Sequence, residues 1–207
     1  MKSNIKKNSK PINLLILDIE GGHGGSSKSI FHTVEYLNKK QFKPIVICKR
    51  KGIIKKYKKI GVQCEYEPNM PTFTALKKES RNFIYLVLFF IYLWPRAKKF
   101  REKIINLIHL NQIEIVHCNH ISLFLLAYWL KKKYKKLFLT LHVRTTPINN
   151  YTSRLQARLS SRIFNNNIFI TENEKINMQK LCNNKNLSGE IIYNSVKIRE
   201  VHKPYRL

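Results

Sequence analysis

The stretch INLLILDIEGGHGGSSKSIFHTVEYLNKK (residues 12–40) decides the fold class of this chain. An apolar run of strand length ends at Asp18, four glycines surround His23, and apolar residues then recur at helical spacing at Ile30, Val34 and Leu37. A buried strand, a glycine turn and an amphipathic helix form the first unit of a parallel α/β sheet. The loop between strand and helix offers backbone amides and the positive end of the helix dipole, which together favour an anion.

The remaining sequence repeats this alternation of strands and helices. Strands are predicted at residues 12–17, 44–48, 114–117, 137–141, 168–171 and 190–193. Residues 123–134 form an apolar helix, and a second helix has one apolar face made by Phe100, Ile104, Leu107 and Ile108. The 207 residues suffice for one α/β domain. We therefore expect a single domain with a Rossmann-like parallel sheet and helices on both faces.

The charge is strongly positive, with 39 Lys and Arg against 12 Asp and Glu, a net charge of +27. Such a field attracts phosphates on nucleic acids, anionic lipids or nucleotides. The abundance of Lys, Asn and Ile is also typical of an AT-rich coding genome, so compositional drift stays open as an explanation. The lysines are scattered and no recognition helix, RNP motif or zinc finger is present, so no specific nucleic-acid partner is expected.

The cysteines and the first residues bear on the compartment. The four cysteines are widely spaced and form no C-x-x-C pair, which indicates a reducing cytosol rather than a disulfide framework or a Cys-rich zinc site. Residues 1–11 are basic, and the apolar run after them ends at Asp18 without a cleavage-site pattern. We interpret residues 1–11 as a basic tail, not a signal peptide, and expect a cytoplasmic protein.

One segment departs from the alternation of strands and helices. Residues 83–94, FIYLVLFFIYLW, are all apolar or aromatic, and cations flank them, among them Arg81 and Arg96. A helix needs about 20 residues to cross a bilayer, so this segment does not span one. Two interpretations stay open: a helix buried in the core, or a segment inserted into one face of an anionic membrane, where flanking aromatic and cationic residues are typical.

Several interpretations of the glycine loop can be compared with known phosphate-binding motifs. In residues 22–29, G-H-G-G-S-S-K-S, Ser27 stands where a Walker A loop requires glycine, and no later strand ends in an Asp for magnesium. A dinucleotide fingerprint fails at its third glycine, and the second strand ends in Cys48 and Lys49 where an acid for the ribose is expected. A general phosphate or acceptor loop, or a tight turn without a ligand, remain as alternatives.

Three histidines favour a ligand site over a simple turn. His23 follows the first strand, His120 follows EIVHC, and His142 ends LFLTLH. Because the carboxyl ends of parallel strands share one edge, these side chains converge on the crevice where such folds bind ligands. HCNH contains an H-x-x-H spacing, but at a strand end it does not place both rings on one helix face, so a metal site is not predicted.

The order of these motifs resembles the N-terminal domain of family-four glycosyltransferases. GGHGGSSKS with the helix and strand that follow resembles the family's opening, IEIVHCNH its D-I-V-H-x-H segment, LFLTLH its T-x-H strand, and IIYNSVKI its closing I-x-N-G-V strand. The resemblance implies that residues 12–198 are the acceptor-binding half of a GT-B enzyme. Such enzymes transfer a sugar from a nucleotide diphosphate to a saccharide or lipid-linked acceptor, with retention and without a metal or a cofactor.

The resemblance also implies roles for individual residues on the donor side. Gly24, Gly25 and Ser26 would lie against the donor diphosphate, and His142 would be the catalytic histidine near the reacting sugar. Backbone amides stabilise charge on a leaving diphosphate, and a neutral imidazole can hydrogen-bond a sugar hydroxyl. On the acceptor side the resemblance assigns His23, His120 and Arg144, and a guanidinium is suited to bind an acceptor phosphate.

The sequence also departs from the family pattern. Ser195 replaces a glycine, Glu114 an aspartate, and residues 199–207 look like the start of a linker to a second domain that the sequence lacks. In the family the C-terminal domain carries most of the nucleotide pocket, so we expect little activity from this chain alone. It would be completed by a partner chain with a C-terminal domain, or the gene would be truncated. The alternative is a non-enzymatic basic α/β module that binds membrane or nucleic acid.

Overall fold

A parallel sheet organises the molecule, as the sequence predicts, and it has seven strands where six were predicted. The computed structural model describes residues 10–75, 79–145 and 148–193. The strands are β1 Ile12–Asp18, β2 Phe42–Cys48, β3 Gln63–Tyr66, β4 Ile115–Cys118, β5 Phe138–Val143, β6 Asn166–Phe169 and β7 Glu190–Ile191. They lie in the order β3-β2-β1-β4-β5-β6-β7, and every neighbouring pair is parallel.

Helices cover both faces of this sheet. They are α1 Gly25–Tyr36, α2 Ile54–Lys59, α3 Glu79–Leu88, α4 Trp94–Arg96, α5 Lys98–Leu110, α6 Phe124–Lys133, α7 Tyr151–Ile163 and α8 Glu172–Cys182. A π-helical turn, Phe89–Leu93, joins α3 to α4, and a 3₁₀ turn, Ile121–Leu123, precedes α6.

The core forms two layers because successive strand residues face opposite sides of the sheet. Leu15 and Leu17 of β1 belong to a large apolar cluster that includes the buried face of α5. Between them, Ile16 points the other way and packs in a smaller cluster with Ile30 and Val34 of α1. The near-continuous apolar run of β1 therefore reflects burial on both faces.

The strand order creates a crevice beside β1. The chain first adds β2 and β3 on one side of β1 and then returns to place β4 on the other side. The loops after β1 and β4 consequently leave the sheet in opposite directions, and open α/β sheets bind ligands at such a switch point. Leu17 pairs with Cys118, and Cys118 pairs with Leu141, so the ends of β1, β4 and β5 are level.

The predicted elements correspond to observed ones, with one addition. Each predicted strand is present with bounds shifted by a few residues, and Phe100, Ile104, Leu107 and Ile108 are the buried face of α5. Strand β3 was not predicted, because it is short, polar and lies at the edge of the sheet, with Cys64 as its single buried residue. The predicted linker at residues 199–207 and nearly all of the predicted basic tail at residues 1–11 lie outside the described residues.

The apolar segment at residues 83–94 is not a buried core helix. Phe83, Ile84, Val87, Leu88, Phe90, Ile91, Tyr92 and Leu93 are exposed. Phe89 is the one residue of the segment that is fully buried. Residues 83–93 are hereafter called the exposed apolar segment. Among the described residues, no helix has both the length and the apolar character needed to cross a bilayer.

Candidate functional site

Asp18, at the carboxyl end of β1, anchors the glycine loop. Its carboxylate is fully buried and accepts hydrogen bonds from the backbone N–H groups of Glu20 and Gly21, both at 3.2 Å. It also accepts from the Ser27 hydroxyl at the start of α1 and from the Asn119 amide at 3.3 Å. A buried carboxylate is stable only when its lone pairs are satisfied, and four donors satisfy this one. Asp18 thus fixes the loop between β1 and α1.

A chain of hydrogen bonds continues from Asp18 to the end of β5. The Asn119 carbonyl oxygen accepts from Arg144 Nε at 2.9 Å, and Arg144 Nη2 lies 2.9 Å from His142 Nδ1. Because a guanidinium only donates, His142 Nδ1 must accept this bond, and the imidazole proton is on Nε2. His142 Nε2 is buried and has no hydrogen-bond partner among the described residues. The network therefore leaves one oriented N–H donor at the edge of the sheet.

Burial keeps the imidazoles of this cluster neutral. The pKa of His142 is lowered to about 2 by its burial and by the positive charge of Arg144, with a smaller effect of His117. Burial, then Arg144, lowers the pKa of His117 to about 4. The His117 ring contacts that of His142 edge-on, with centroids 5.8 Å apart, and its Nδ1 lies 2.8 Å from the Thr140 hydroxyl. His117 Nε2 is a second buried nitrogen without a partner in the described part of the chain.

Arg144 stays charged within this cluster. Burial lowers its pKa to about 10, while the carboxylates of Asp18 and Glu20 oppose that decrease. Its guanidinium is buried and is directed back toward Asn119 and His142. The structure therefore places Arg144 behind the catalytic candidate, as a group that orients the imidazole.

His120 caps the 3₁₀ turn after β4. Its Nδ1 accepts from the Ser122 backbone N–H at 3.1 Å and lies 2.9 Å from the Ser122 hydroxyl, so Nε2 carries the proton. Burial lowers the pKa of His120, a change that the nearby Glu20 carboxylate opposes. His120 is half-buried at the same sheet edge as His142 and is also a neutral N–H donor.

The glycines of the loop serve different purposes. Gly21 and Gly22 have positive φ values of 55° and 95°, which side chains rarely adopt. A Cβ on Gly21 would also lie 2.1 Å from the carbonyl oxygen of Arg50. Gly25 is the first residue of α1, and a Cβ there would meet nothing within 4 Å. The first two glycines shape the turn, and Gly25 faces open space.

An acidic side chain covers part of the predicted diphosphate site. The Glu20 carboxylate lies where a Cβ on Gly24 would be, 1.9 Å from that position, and it accepts a hydrogen bond from the Ser26 hydroxyl. An anion can therefore approach the amide of Gly24 only if Glu20 turns away. Glu20 was not among the predicted site residues, although its place two residues after the strand was visible in the sequence.

The structure separates His23 from the buried cluster. Its side chain is exposed, and its ring lies beside Gly52 in the loop after β2, with Nε2 3.2 Å from the position of a Cβ there. Among the described residues, no hydrogen bond or ring contact joins His23 to His120 or His142. Of the three histidines predicted to converge, His120 follows β4 and His142 lies in the neighbouring strand β5, and the charge of Arg144 acts on both imidazoles. Within the described ranges, no three His, Cys, Asp or Glu side chains come together as metal ligands.

Comparison with known proteins identifies the family. The model of Glycosyltransferase Family 4 matches residues 23–200, most of the chain. The chain belongs to glycosyltransferase family 4. The buried network described above accordingly lies at the sheet edge of a family 4 domain. No protein of curated function matches the sequence.

Solved structures support the same fold for this family 4 domain. It is similar to the apo form of lipopolysaccharide outer core galactosyltransferase WaaB, with a TM-score of 0.57 and 16% identity over 91% of this chain. It is also similar to MurG of Acinetobacter baumannii, with a TM-score of 0.51 and 8% identity over 90% of this chain. In both cases the chain spans 47% of the length of the solved structure.

The residues missed by sequence reasoning are the polar ones inside the network. Asp18, Asn119 and His117 stand at the ends of predicted strands, where level strand ends bring distant residues together. That position was the available signal. It did not show which side chains turn inward to bond one another.

Proposed function

We propose that this family 4 glycosyltransferase domain is the acceptor-side half of a nucleotide-sugar-dependent enzyme, with His142 as the catalytic residue. The neutral imidazole of His142, whose Nε2–H has no partner among the described residues, carries this proposal. Because Arg144 already sets its orientation, this N–H can donate to an oxygen of the reacting sugar that comes within reach of Nε2. His142 would act as a donor and not as a base, because its Nδ1 is occupied and its pKa is low.

On the donor side, the amides of Gly24 and Gly25 and the Ser26 hydroxyl would hold the diphosphate. They lie at the amino end of α1, where the helix dipole favours negative charge. Glu20 would leave the loop as the diphosphate enters, because two anions cannot share these donors. No metal or cofactor is proposed beside the nucleotide sugar.

On the acceptor side, His120 and the exposed His23 would contact a saccharide or lipid-linked acceptor. The Arg144 guanidinium bonds Asn119 and His142, so its proposed contribution is to orient His142 and to add positive charge near an acceptor phosphate. The nucleotide pocket would be completed by a C-terminal domain on a partner chain. The enzyme would work at the cytoplasmic face of an anionic membrane, where the exposed apolar segment and the cations around it would bind.

The donor-side roles are tested by NMR titration of the chain with UDP- and GDP-sugars, alone and with a co-expressed C-terminal partner. Glu20→Gln should tighten the binding of the nucleotide sugar, because it removes the carboxylate that competes with the diphosphate. Glu102→Gln, which removes an exposed carboxylate from α5, is the matched control. Shifts of the amides of residues 19–28, enhanced by Glu20→Gln and not by the control, would support the proposal. Equal effects of both variants, or shifts confined to other regions, would contradict it.

Membrane binding is tested by flotation with vesicles that contain anionic lipid. The wild-type chain should float, and Ile91→Glu should remain at the bottom, because it places a charge in the middle of the exposed apolar segment. Leu110→Glu changes an exposed leucine at the end of α5, and this variant should float as the wild type does. If the wild-type chain stays at the bottom, the membrane part of the proposal is wrong.

A further inference from the structure

An apolar groove runs between α7, α6 and the exposed apolar segment. Its volume is about 410 Å³, within the range of ligand pockets in proteins. Apolar side chains line most of it: Phe73, Phe83, Leu86, Phe90, Phe124, Leu125, Leu155 and Leu159. We call it the α7 groove. Phe83, Leu86 and Phe90 belong both to this groove and to the exposed apolar segment, so the groove opens beside that segment.

A few polar side chains also line the α7 groove, among them Asn82, Thr152 and Gln156. Gln156 is buried there, and its amide nitrogen donates to the carbonyl oxygen of Ile121 at 3.2 Å and to that of Phe73 at 3.5 Å. A water molecule needs two or more polar partners to be stable in a cavity. Because this amide already donates within the protein and most of the lining is apolar, the α7 groove is suited to hydrocarbon.

The face of α7 next to the groove carries a stripe of arginines. Arg154, Arg158 and Arg162 recur every four residues and are exposed, so they lie along one line of the helix surface. Arg154 and Arg158 border a cleft of about 310 Å³ between α7 and α8, to which Lys180 contributes another cation. Among the described residues, no ion pair joins any of these arginines to a carboxylate.

The two surfaces meet on α7. Leu155 lines the α7 groove, and Arg158, three residues later, is its neighbour on the helix surface. One helix thus presents an apolar stripe directly beside a cationic one. Arginine binds phosphate oxygens through paired N–H donors, and an apolar groove beside it binds hydrocarbon.

We infer that α7 is a binding site for a phosphate-bearing lipid, with the hydrocarbon chain in the α7 groove and the phosphate on Arg158 and Arg154. This goes beyond membrane association and beyond sugar transfer, because the site would bind a single lipid molecule in the absence of a bilayer. A lipid in a membrane could enter directly, since the groove opens beside the exposed apolar segment.

The test is an NMR titration of the full chain with octyl phosphate, below the concentration at which it forms micelles. Octyl glucoside has the same hydrocarbon chain with a neutral head, and inorganic phosphate is the head without the chain. Octyl phosphate should shift the methyl resonances of Leu155 and Leu159 together with the amide of Arg158, and it should bind more tightly than either of the other probes. Equal affinity for octyl glucoside would overturn the inference.

Two variants and two matched controls locate the site. Arg158→Ala should weaken octyl phosphate binding by about tenfold, the loss expected for one charge-assisted hydrogen bond. Leu155→Glu should abolish it, and at 43% exposure this position should accept the change without unfolding. Leu110→Glu and Lys55→Ala alter an exposed leucine and an exposed cation away from α7 and should have no effect. Affinity unchanged in both α7 variants would overturn the inference.

The result of the octyl phosphate titration can be distinguished from the result of the flotation test for membrane binding. A chain that floats with vesicles but does not bind octyl phosphate would refute the lipid site and leave membrane association intact. Concentration-dependent dimerisation that Leu155→Glu abolishes, without octyl phosphate binding, would show instead that a second copy covers the α7 groove.

Discussion

Acidification from pH 7 to pH 5 should destabilise the fold through His117 and His142. Both side chains are buried, and both have pKa values well below the ordinary value of a histidine, about 4 and about 2. Below pH 6.5 or so, the unfolded chain therefore binds protons that the folded chain does not, and stability falls as pH falls. The loss of stability depends mainly on the pKa of each histidine in the unfolded chain. At pH 5 it therefore changes little with the pKa values in the folded chain. Integration gives about 2 kcal/mol for each histidine and about 4 kcal/mol for both.

That loss is large beside the total stability of about 5–15 kcal/mol that is usual for a domain. Urea unfolding at pH 7 and pH 5, followed by circular dichroism, measures it. The double variant His117→Gln, His142→Gln should lose about 4 kcal/mol less than the wild type over this range. His32→Gln, which changes an exposed imidazole of α1, is the matched control. Equal losses for the wild type and the double variant would refute the reasoning, as would ring resonances of His117 that show a protonated imidazole in the folded chain at pH 5.

Five further substitutions, in three comparisons, test the loop and the exposed apolar segment. Asp18→Asn keeps the shape of the side chain but replaces an acceptor by a donor, and it should lower the free energy of unfolding by about 2–5 kcal/mol in urea titrations; an unchanged midpoint would contradict its anchoring role. Gly21→Ala should destabilise the chain, since its φ is 55° and a Cβ would meet a backbone carbonyl, whereas Gly25→Ala should be neutral or slightly stabilising. Phe89→Ala should cost about 3–5 kcal/mol and Phe90→Ala much less, and similar costs would mean that the burial pattern is wrong.

The sheet was predictable because its strands are buried on both faces. Runs such as residues 12–17 and 137–141 are apolar at nearly every position, and such runs with helical segments between them indicate parallel strands. Strand β3 has no such signal. It has one partner, β2, and its residues are mainly polar, so its pairing and not its composition makes it a strand.

The sequence predicted where the candidate site lies, but not how its side chains are oriented. Strand ends in a parallel sheet meet at one edge, and His120 and His142 lie at the ends of the neighbouring strands β4 and β5. The orientation of each side chain depends on contacts over a hundred residues of sequence, such as the one between Asp18 and Asn119. Periodicity carries no information about such contacts. The inward direction of Arg144 and the position of Glu20 over Gly24 could therefore be learned only from the folded chain.

The exposure of residues 83–93 shows a similar limit. Composition alone favours burial for twelve apolar residues in a row, and an interfacial segment has the same composition. The outcome depends on how the helix lies over its neighbours. In this protein one turn of it is wound as a π-helix, which composition does not encode.

That π-helical turn determines the relative directions of two aromatic side chains, those of Phe89 and Trp94. The Trp94 backbone N–H donates to the carbonyl oxygen of Phe89, five residues earlier, and the two rings lie 5.8 Å apart. In an α-helix, residues five apart point in clearly different directions, so the wider turn is what lets both rings point toward the core. The four residues between them all face outward. Deletion of any one of these four residues would restore α-helical winding, and the side chain of either Phe89 or Trp94 would then be rotated out of the core.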